Sequence, residues 1–241
     1  MPEAPAPVSE SPASDAAFAL LESFARLGVL DVVVCPGSRS QALALAAAAL
    51  ADDGVLRLHV RLDERGAGFL ALGLGIETGV PALVVTTSGT AVANLHPAVL
   101  EAHHSRVPLV VLSADRPVEL RGIRANQTTV QPGMFGGAVR LEADVDAPAG
   151  AGDVAAVSSL AARAIAAATD AANPGPVHLN LQYREPLSSG APRSEGATTH
   201  APAVDAPAPA PDAAVAPDAA SDALVLSHGP RTVVIAGHGA G

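Results

Sequence analysis

A single cysteine, Cys35, stands in a chain of 241 residues. No disulfide can form within the chain, and a reducing cytoplasm suits it. Tryptophan is absent, and aromatic residues make up 2% of the sequence against 49% hydrophobic residues in all. A sizeable core is expected, built from Ala, Val and Leu rather than from rings. Basic residues are scarce: 14 Lys and Arg face 24 Asp and Glu, for a formal charge of −10. The basic face of a nucleic-acid binder is excluded by that balance. No Lys or Arg precedes Arg26 and no apolar h-region is present, which argues against a signal peptide. The longest run of small apolar residues, 42–51, is well short of the roughly 20 needed to span a bilayer. No membrane insertion is expected.

The length allows one large domain, or one domain plus a fragment. Residues 1–14, made of Pro, Ala, Ser and Glu, predict a disordered N-terminus. From Asp15, the spacing of Phe18, Leu20, Leu21, Phe24 and Leu27 predicts a helix with Gly28 near its C-cap. Asp31 to Cys35 reads as a β-branched strand. Pro36-Gly37-Ser38-Arg39-Ser40 then opens an alanine-rich helix to about Asp52.

The most informative stretch is Arg57 to Phe69. Leu56, Leu58, Val60 and Leu62 alternate with Arg57, His59 and Arg61, the period-2 pattern of a half-buried strand. Asp63 and Glu64 follow, where a helix should begin. That helix, running to Gly79, carries interior glycines at 66, 68, 73 and 75. Each costs roughly 1 kcal/mol against alanine, so close packing against another backbone or a ligand is expected to compensate.

Pro81 to Thr87 and Val107 to Ser113 are apolar without alternation, as in strands covered on both faces. Thr87 to Asn94 is a strand-to-helix turn whose hydroxyls and backbone N–H groups suit a helix cap or an anion. Pro97 should break or kink the helix that follows to Ser105. Ala114-Asp115-Arg116-Pro117 and Ala125-Asn126-Gln127-Thr128 lie beyond the next strand. A short strand is expected at Ala138 to Leu141, an amphipathic helix at Asp153 to Ala172 and a closing strand at Val177 to Leu181. Strands alternating with helices indicate an α/β fold with a parallel sheet flanked by helices. In such sheets ligands bind outside the carboxyl ends of the strands, where Ser38, Arg39, Glu64, Ser88 and Arg116 fall. Residues 188–222 read as an Ala/Pro-rich linker. Thr232 to Ala236 and the glycine turn 237–241 read as the first strand of a further βα unit.

Some signals carry little. Gly73-Leu74-Gly75 has the wrong spacing for a dinucleotide fingerprint, and Gly237-His238-Gly239-Ala240-Gly241 lacks a downstream acid. His103 and His104 are neighbours on a helix and point about 100° apart, so a surface or satisfied role is the expectation. Nothing near Cys35 in sequence suggests thiolate activation, so a buried, inert thiol is expected.

Taken in order, six motifs resemble one family. They are Cys35-Pro-Gly-Ser-Arg-Ser40, Asp63-Glu-Arg-Gly-Ala-Gly-Phe69, Thr87-Ser-Gly-Thr-Ala-Val-Ala-Asn94, Ser105-Arg-Val-Pro-Leu109, Ala114-Asp-Arg-Pro117 and Ala125-Asn-Gln-Thr128. The family is that of the thiamine diphosphate-dependent synthases of menaquinone biosynthesis, which make 2-succinyl-5-enolpyruvyl-6-hydroxy-3-cyclohexene-1-carboxylate. The match runs along most of Asp15 to Pro186. It implies a pyrimidine-binding domain at 15–187 and, at 223–241, the first strand of a central Rossmann-like domain. The family's Gly-Asp-Gly…Asn motif, which holds Mg²⁺ and the diphosphate, does not occur here; Gly152-Asp153 is followed by Val154. The resemblance thus implies thiamine diphosphate and Mg²⁺ as cofactors, both anchored mainly by another domain.

The resemblance also assigns roles. Glu64 would bind N1′ of the aminopyrimidine and favour the tautomer that activates C2, leaving the hard chemistry to the cofactor. Taken alone, an acid at a helix start more often serves the helix, and Asp63 is expected to be that cap. Ser88, Gly89, Thr90 and Asn94 would surround the cofactor, with capping the equal alternative for Ser88 and Thr90. Arg39 and Arg116, with Ser38, would bind the carboxylates of isochorismate, since guanidinium forks pair bidentately with carboxylates. The plain alternative is pairing with a local acid such as Asp115. Asn126 and Gln127 would orient substrate or cofactor near the reacting centre. The implied reaction takes 2-oxoglutarate and isochorismate in a cytoplasmic dimer or tetramer. Two other readings stay open: a pyrimidine-domain subunit of another thiamine diphosphate-dependent decarboxylase or synthase, and a non-catalytic dimerising α/β module.

Overall fold

The computed structural model describes residues 11–150 and 152–188. Six parallel strands form one sheet in the order β2–β1–β3–β4–β6–β5. They are β1 (Asp31–Val34), β2 (Arg57–Val60), β3 (Ala82–Thr86), β4 (Leu109–Asp115), β5 (Leu141–Val145) and β6 (Pro176–Gln182). The helices are α1 (Pro12–Arg26), α2 (Gln41–Asp52), α3 (Glu64–Thr78), α4 (Thr90–Ala93), α5 (His96–Ser105) and α6 (Gly152–Ala168). One core layer joins α1, α2 and α6 to Val32, Val34, Leu83, Val85, Val110 and Leu112. The other joins α3, α4 and α5 to Val33, Val84, Leu109 and Val111. Alternate residues of the same strands thus feed opposite layers, which is why β3 is apolar from Ala82 to Val85 and β4 from Leu109 to Leu112.

The expected α/β architecture is the observed one. Several boundaries move. The first helix begins at Pro12, not Asp15, because Ser11 caps it and accepts a hydrogen bond from the Ser14 N–H at 3.3 Å. Ser11 is fully buried, so residues 11–14 do not belong to a disordered N-terminus. The break expected at Pro97 occurs at Asn94 and Leu95, and Pro97 sits in the first turn of α5, where its missing N–H costs nothing. The strand expected at Ala138 to Leu141 is instead β5, beginning at Leu141 after a 3₁₀ turn at Gly136–Ala138. Residues 1–10, nearly all of the expected linker and the strand expected at 232–236 lie outside the described residues.

The half-buried alternation read for β2 holds only at its start. Leu56 is buried and Leu58 packs against the core, but Val60 is 54% exposed and Leu62 85% exposed. The cause is position: β2 is an edge strand, with a neighbouring strand on one side only. On its other face, Arg57 and His59 hold Asp31 at 2.6 Å and 2.9 Å. Burial raises the Asp31 pKa, but Arg57 and His59 outweigh it and leave the carboxyl below its ordinary range.

The glycines of α3 divide in two. A Cβ on Gly68 would stand 2.9 Å from the Ala98 Cβ, and one on Gly75 would stand 3.0 Å from the Pro108 carbonyl oxygen. These two let α3 approach α5 and the start of β4. Gly73 has open space around its Cβ position, and Gly66 meets Asp63 Oδ1 only at 3.5 Å, so close packing does not account for them. Gly68→Ala is expected to cost about 1–3 kcal/mol by overpacking, less a propensity gain of about 1 kcal/mol. Gly73→Ala is expected to keep the gain alone. Urea unfolding of the two variants should move in opposite directions; equal shifts would show that Gly68 is not held by α5.

Candidate functional site

The strand order reverses between β1 and β3, the point at which open α/β sheets bind ligands in a crevice at the carboxyl ends of the strands. The two loops lie hard against each other at Gly37, where a Cβ would be 2.3 Å from the Thr87 Cβ. Glycine is required here by that approach, and it brings Ser38 and Arg39 beside the loop that carries Ser88.

Glu64 is the first residue of α3, one strand further along the same edge. Asp63 is the N-cap, its Oδ1 accepting from the Gly66 N–H at 2.8 Å, which is the role expected for it. Capping by Asp63 leaves the Glu64 carboxylate available. Glu64 is half-buried, and Oε2 accepts from Asn94 Nδ2 at 3.4 Å. Asn94 ends α4, so this contact ties the loop after β2 to the turn after β3. Cys35 lies buried beneath; burial, then the charges of Glu64 and Asp63, push its thiol up to about 12. The expected inert cysteine therefore has a physical cause.

A second group forms on the loops after β3 and β4. Ser88 is fully buried and donates to the Gln127 carbonyl oxygen at 3.0 Å, while Gln127 Nε2 donates to the Ser88 carbonyl oxygen at 3.1 Å. Arg116 Nη1 donates to Ser88 Oγ and, at 2.8 Å, to the Gln127 carbonyl oxygen. These bonds interlock the two turns; Gly89 has φ +83°, which glycine adopts freely, and Gln127 φ +53°, which a residue with a side chain adopts rarely. Capping of α4, the equal alternative for Ser88 and Thr90, does not occur: the N-cap is Gly89, with no side-chain hydrogen bond. Thr90 is exposed in the first turn, and its carbonyl accepts from the Asn94 N–H at 3.3 Å. Asn126 is exposed; its carbonyl accepts from Thr128 Oγ1 at 3.3 Å.

Arg39 and Arg116 meet at this edge. Burial, then the nearby charge of Arg39, lower the Arg116 pKa, with Asp115 opposing. Arg116 uses neutral oxygens in the contacts described, not a carboxylate. Asp115 instead pairs with Arg121 at 2.6 Å. Arg39 Nη1 donates to the Tyr183 carbonyl oxygen at 2.9 Å and lies 3.6 Å from Glu185, whose side chain is 70% exposed. Arg39 Nε is buried without a partner. Two nearby guanidinium groups, one with an unpartnered buried donor, have the chemistry that suits an anion. Ser38 is exposed beside them, its carbonyl accepting from the Gln41 N–H at 3.2 Å.

Sequence reading missed the layer below. Ser113 and Asp115 of β4, Glu142 and Asp144 of β5, and His178, Asn180 and Gln182 of β6 alternate with apolar residues and so share one face. Register sets Asn180 between Ser113 and Asp144. Arg121 bridges Asp115 and Asp144 at 2.6 Å each. Hydrogen bonding to Arg121 holds the Asp144 carboxyl below its ordinary range. Burial pulls the His178 pKa down, opposed by Glu142. The signal was present in the strand read as Val177 to Leu181, where polar residues stand at 178 and 180 and the alternation continues at 182 just beyond it. A cavity of about 360 Å³ opens between Leu20, Val157, Leu160 and Tyr183, reaches Asp144 and Gln182 of this layer, and holds none of the expected site residues.

The model of the thiamine pyrophosphate enzyme N-terminal TPP binding domain matches residues 14–136. This chain belongs to that family. The matched span contains every residue of the crevice named above except Tyr183 and Glu185. The chain is 58% identical to 2-succinyl-5-enolpyruvyl-6-hydroxy-3-cyclohexene-1-carboxylate synthase of Leifsonia xyli, over 98% of its own length and 39% of the relative's. It is 55% identical to the protein of that name from Clavibacter michiganensis, over 98% and 40%. The Nocardia farcinica relative, with the same name, is 47% identical over 96% and 43%. The chain therefore spans about two fifths of the length of these relatives. No helix among the described residues is long and apolar enough to cross a membrane.

Proposed function

We propose that this chain is the pyrimidine-binding part of a synthase that decarboxylates 2-oxoglutarate and joins the remaining four-carbon unit to isochorismate. The observation that carries the reading is the placement of Glu64. It is a half-buried carboxylate at the reversing edge of the sheet, relieved of capping duty by Asp63. A partly buried acid with acceptor capacity to spare fits a protonated ring nitrogen. Thiamine diphosphate, when bound, supplies the carbanion chemistry that replaces the carboxylate of a 2-oxo acid. Glu64 holds the proton at N1′, Asn94 sets the carboxylate's direction, and Ser88, Gly89 and Thr90 border the pyrimidine. Arg39 and Arg116 take the carboxylates of isochorismate, with Ser38, Asn126 and Gln127 as polar neighbours.

Among the described residues no group of three or more His, Cys, Asp or Glu could hold a metal ion. We assign Mg²⁺ and the diphosphate to residues outside them. We also infer a homodimer or tetramer. Phe69 and Ile76 of α3 are 39% and 52% exposed and line one shallow apolar surface with Leu70 and Leu74, which a partner would cover. A cytoplasmic setting suits the free thiol of Cys35.

A non-catalytic module would bury and pair its charged groups, yet Arg39 keeps an unused donor and Glu64 a half-open carboxylate. The full-length enzyme, given both substrates, thiamine diphosphate and Mg²⁺, should release CO₂ and form the adduct in equal amounts. CO₂ without adduct would move the assignment to another thiamine diphosphate-dependent decarboxylase. No CO₂ would leave the module reading standing.

A further inference from the structure

Gln131 lies outside every motif that carried the family reading, yet it is fully buried beneath the site. Its Oε1 accepts from the Gly89 N–H at 2.8 Å. Its Nε2 donates to Asn180 Oδ1 at 2.7 Å and to the Ala114 carbonyl oxygen at 3.2 Å. The direction of each bond is dictated by groups that cannot reverse. Asp115 and Asp144 are both bound by Arg121, and as carboxylates they only accept. They therefore face the amide nitrogen of Asn180, at 2.9 Å and 2.8 Å. That turns Asn180 Oδ1 toward Gln131 and toward Ser113 Oγ, which donates at 2.9 Å. Gln131 must then present its nitrogen to Asn180, and its oxygen is left for Gly89. A backbone N–H is the one group at the far end that can only donate, so both ends of the chain of bonds agree.

We propose that Gln131 is a positioning residue for the site, holding the Ser88–Gly89 turn through the Gly89 N–H with a polarity set by Arg121, Asp115, Asp144 and Asn180. Gly89 is the point where this matters. A Cβ there would stand 3.0 Å from Gln127 Cγ and 3.1 Å from the Gln127 carbonyl oxygen, so the turn and the Gln127 loop move together. Ser88 and the Gln127 carbonyl in turn receive the Arg116 guanidinium. The proposal rests on the functional reading above for what the turn serves, but not for the polarity itself.

Glutamate at 131 discriminates this role from mere core filling. An ionised carboxylate can accept from Gly89 but places its second oxygen against two acceptors, Asn180 Oδ1 and the Ala114 carbonyl. A protonated one keeps the bond from Gly89 and restores one of the two donations, to Asn180 Oδ1 or to the Ala114 carbonyl. In the full-length enzyme, Gln131→Glu should therefore show kcat/KM falling about tenfold or more as pH rises through the new acid's pKa, the worth of an ordinary hydrogen bond. Wild type should lack that limb, and far-UV circular dichroism should stay constant across it. Gln131→Met should lose activity by a similar factor at every pH. Hydrogen exchange of the 88–94 segment, read by mass spectrometry, should quicken about tenfold in Gln131→Met and, relative to wild type, only at high pH in Gln131→Glu. Exchange and activity profiles that superimpose on wild type would overturn the proposal. If exchange responds as expected but wild type makes no adduct, the positioning role stands and the assigned reaction falls.

Discussion

Glu64→Gln in the full-length enzyme is expected to lower kcat by about 10²–10⁴-fold, the usual contribution of a positioned proton-transfer group. Glutamine keeps the length and one oxygen of the side chain but cannot balance a protonated ring nitrogen. The fold should be untouched, because the helix start is secured elsewhere: the Gly66 N–H is held by Asp63, and Ala67 closes the first turn on the Asp63 carbonyl at 2.9 Å. Circular dichroism and unfolding midpoint should therefore match wild type while CO₂ release from 2-oxoglutarate collapses. Asn94 donates to Glu64 at present. A glutamine can still accept that bond through its oxygen, so the loss cannot be charged to a broken contact with α4. Turnover within threefold of wild type would remove Glu64 from the chemistry and return it to the plain role of an acid in the first turn.

The difference between what was legible and what was not follows from the range of the forces. Strands β3 and β4 and helix α2 were readable because burial on both faces, or on one stripe, imprints a local pattern. Glu64 and Asp63 were separable in sequence only by resemblance; in the structure a single 2.8 Å hydrogen bond to Gly66 separates them. The exposure of Val60 and Leu62 could not be read locally, since it depends on β2 lying at the sheet edge. Of the four glycines in α3, Gly68 and Gly75 answer to partners 30 and 33 residues away, Ala98 and Pro108, which no window on the helix itself could reveal. The same holds for Gln131 and Asn180, 49 residues apart and bonded at 2.7 Å. Polar residues alternating in β6 announced a buried polar face, but their partners come from β4, β5 and the loop after β4.

Removing either arginine of the pair is expected to weaken isochorismate, not 2-oxoglutarate. Hydrogen bonds to charged groups are worth about 1.5–3 kcal/mol, so Arg39→Ala and Arg116→Ala should each raise the KM for isochorismate about 10–100-fold. The two should differ in a way the structure dictates. Arg116 is anchored by Ser88 and Gln127, and its removal also leaves the interlocked turns without their common cation. Its loss should lower kcat as well. Arg39 is anchored through the Tyr183 carbonyl and has a buried Nε with no partner, so its loss relieves an orphan donor and should fall on KM alone. Lysine should restore neither, because a point charge cannot reproduce the fork. Decarboxylation of 2-oxoglutarate without isochorismate should proceed in both variants. A parallel fall in that half-reaction would place the arginines on the first substrate or on the cofactor's charged tail instead. An unchanged KM for isochorismate in both would show that the free donor of Arg39 faces something other than a carboxylate.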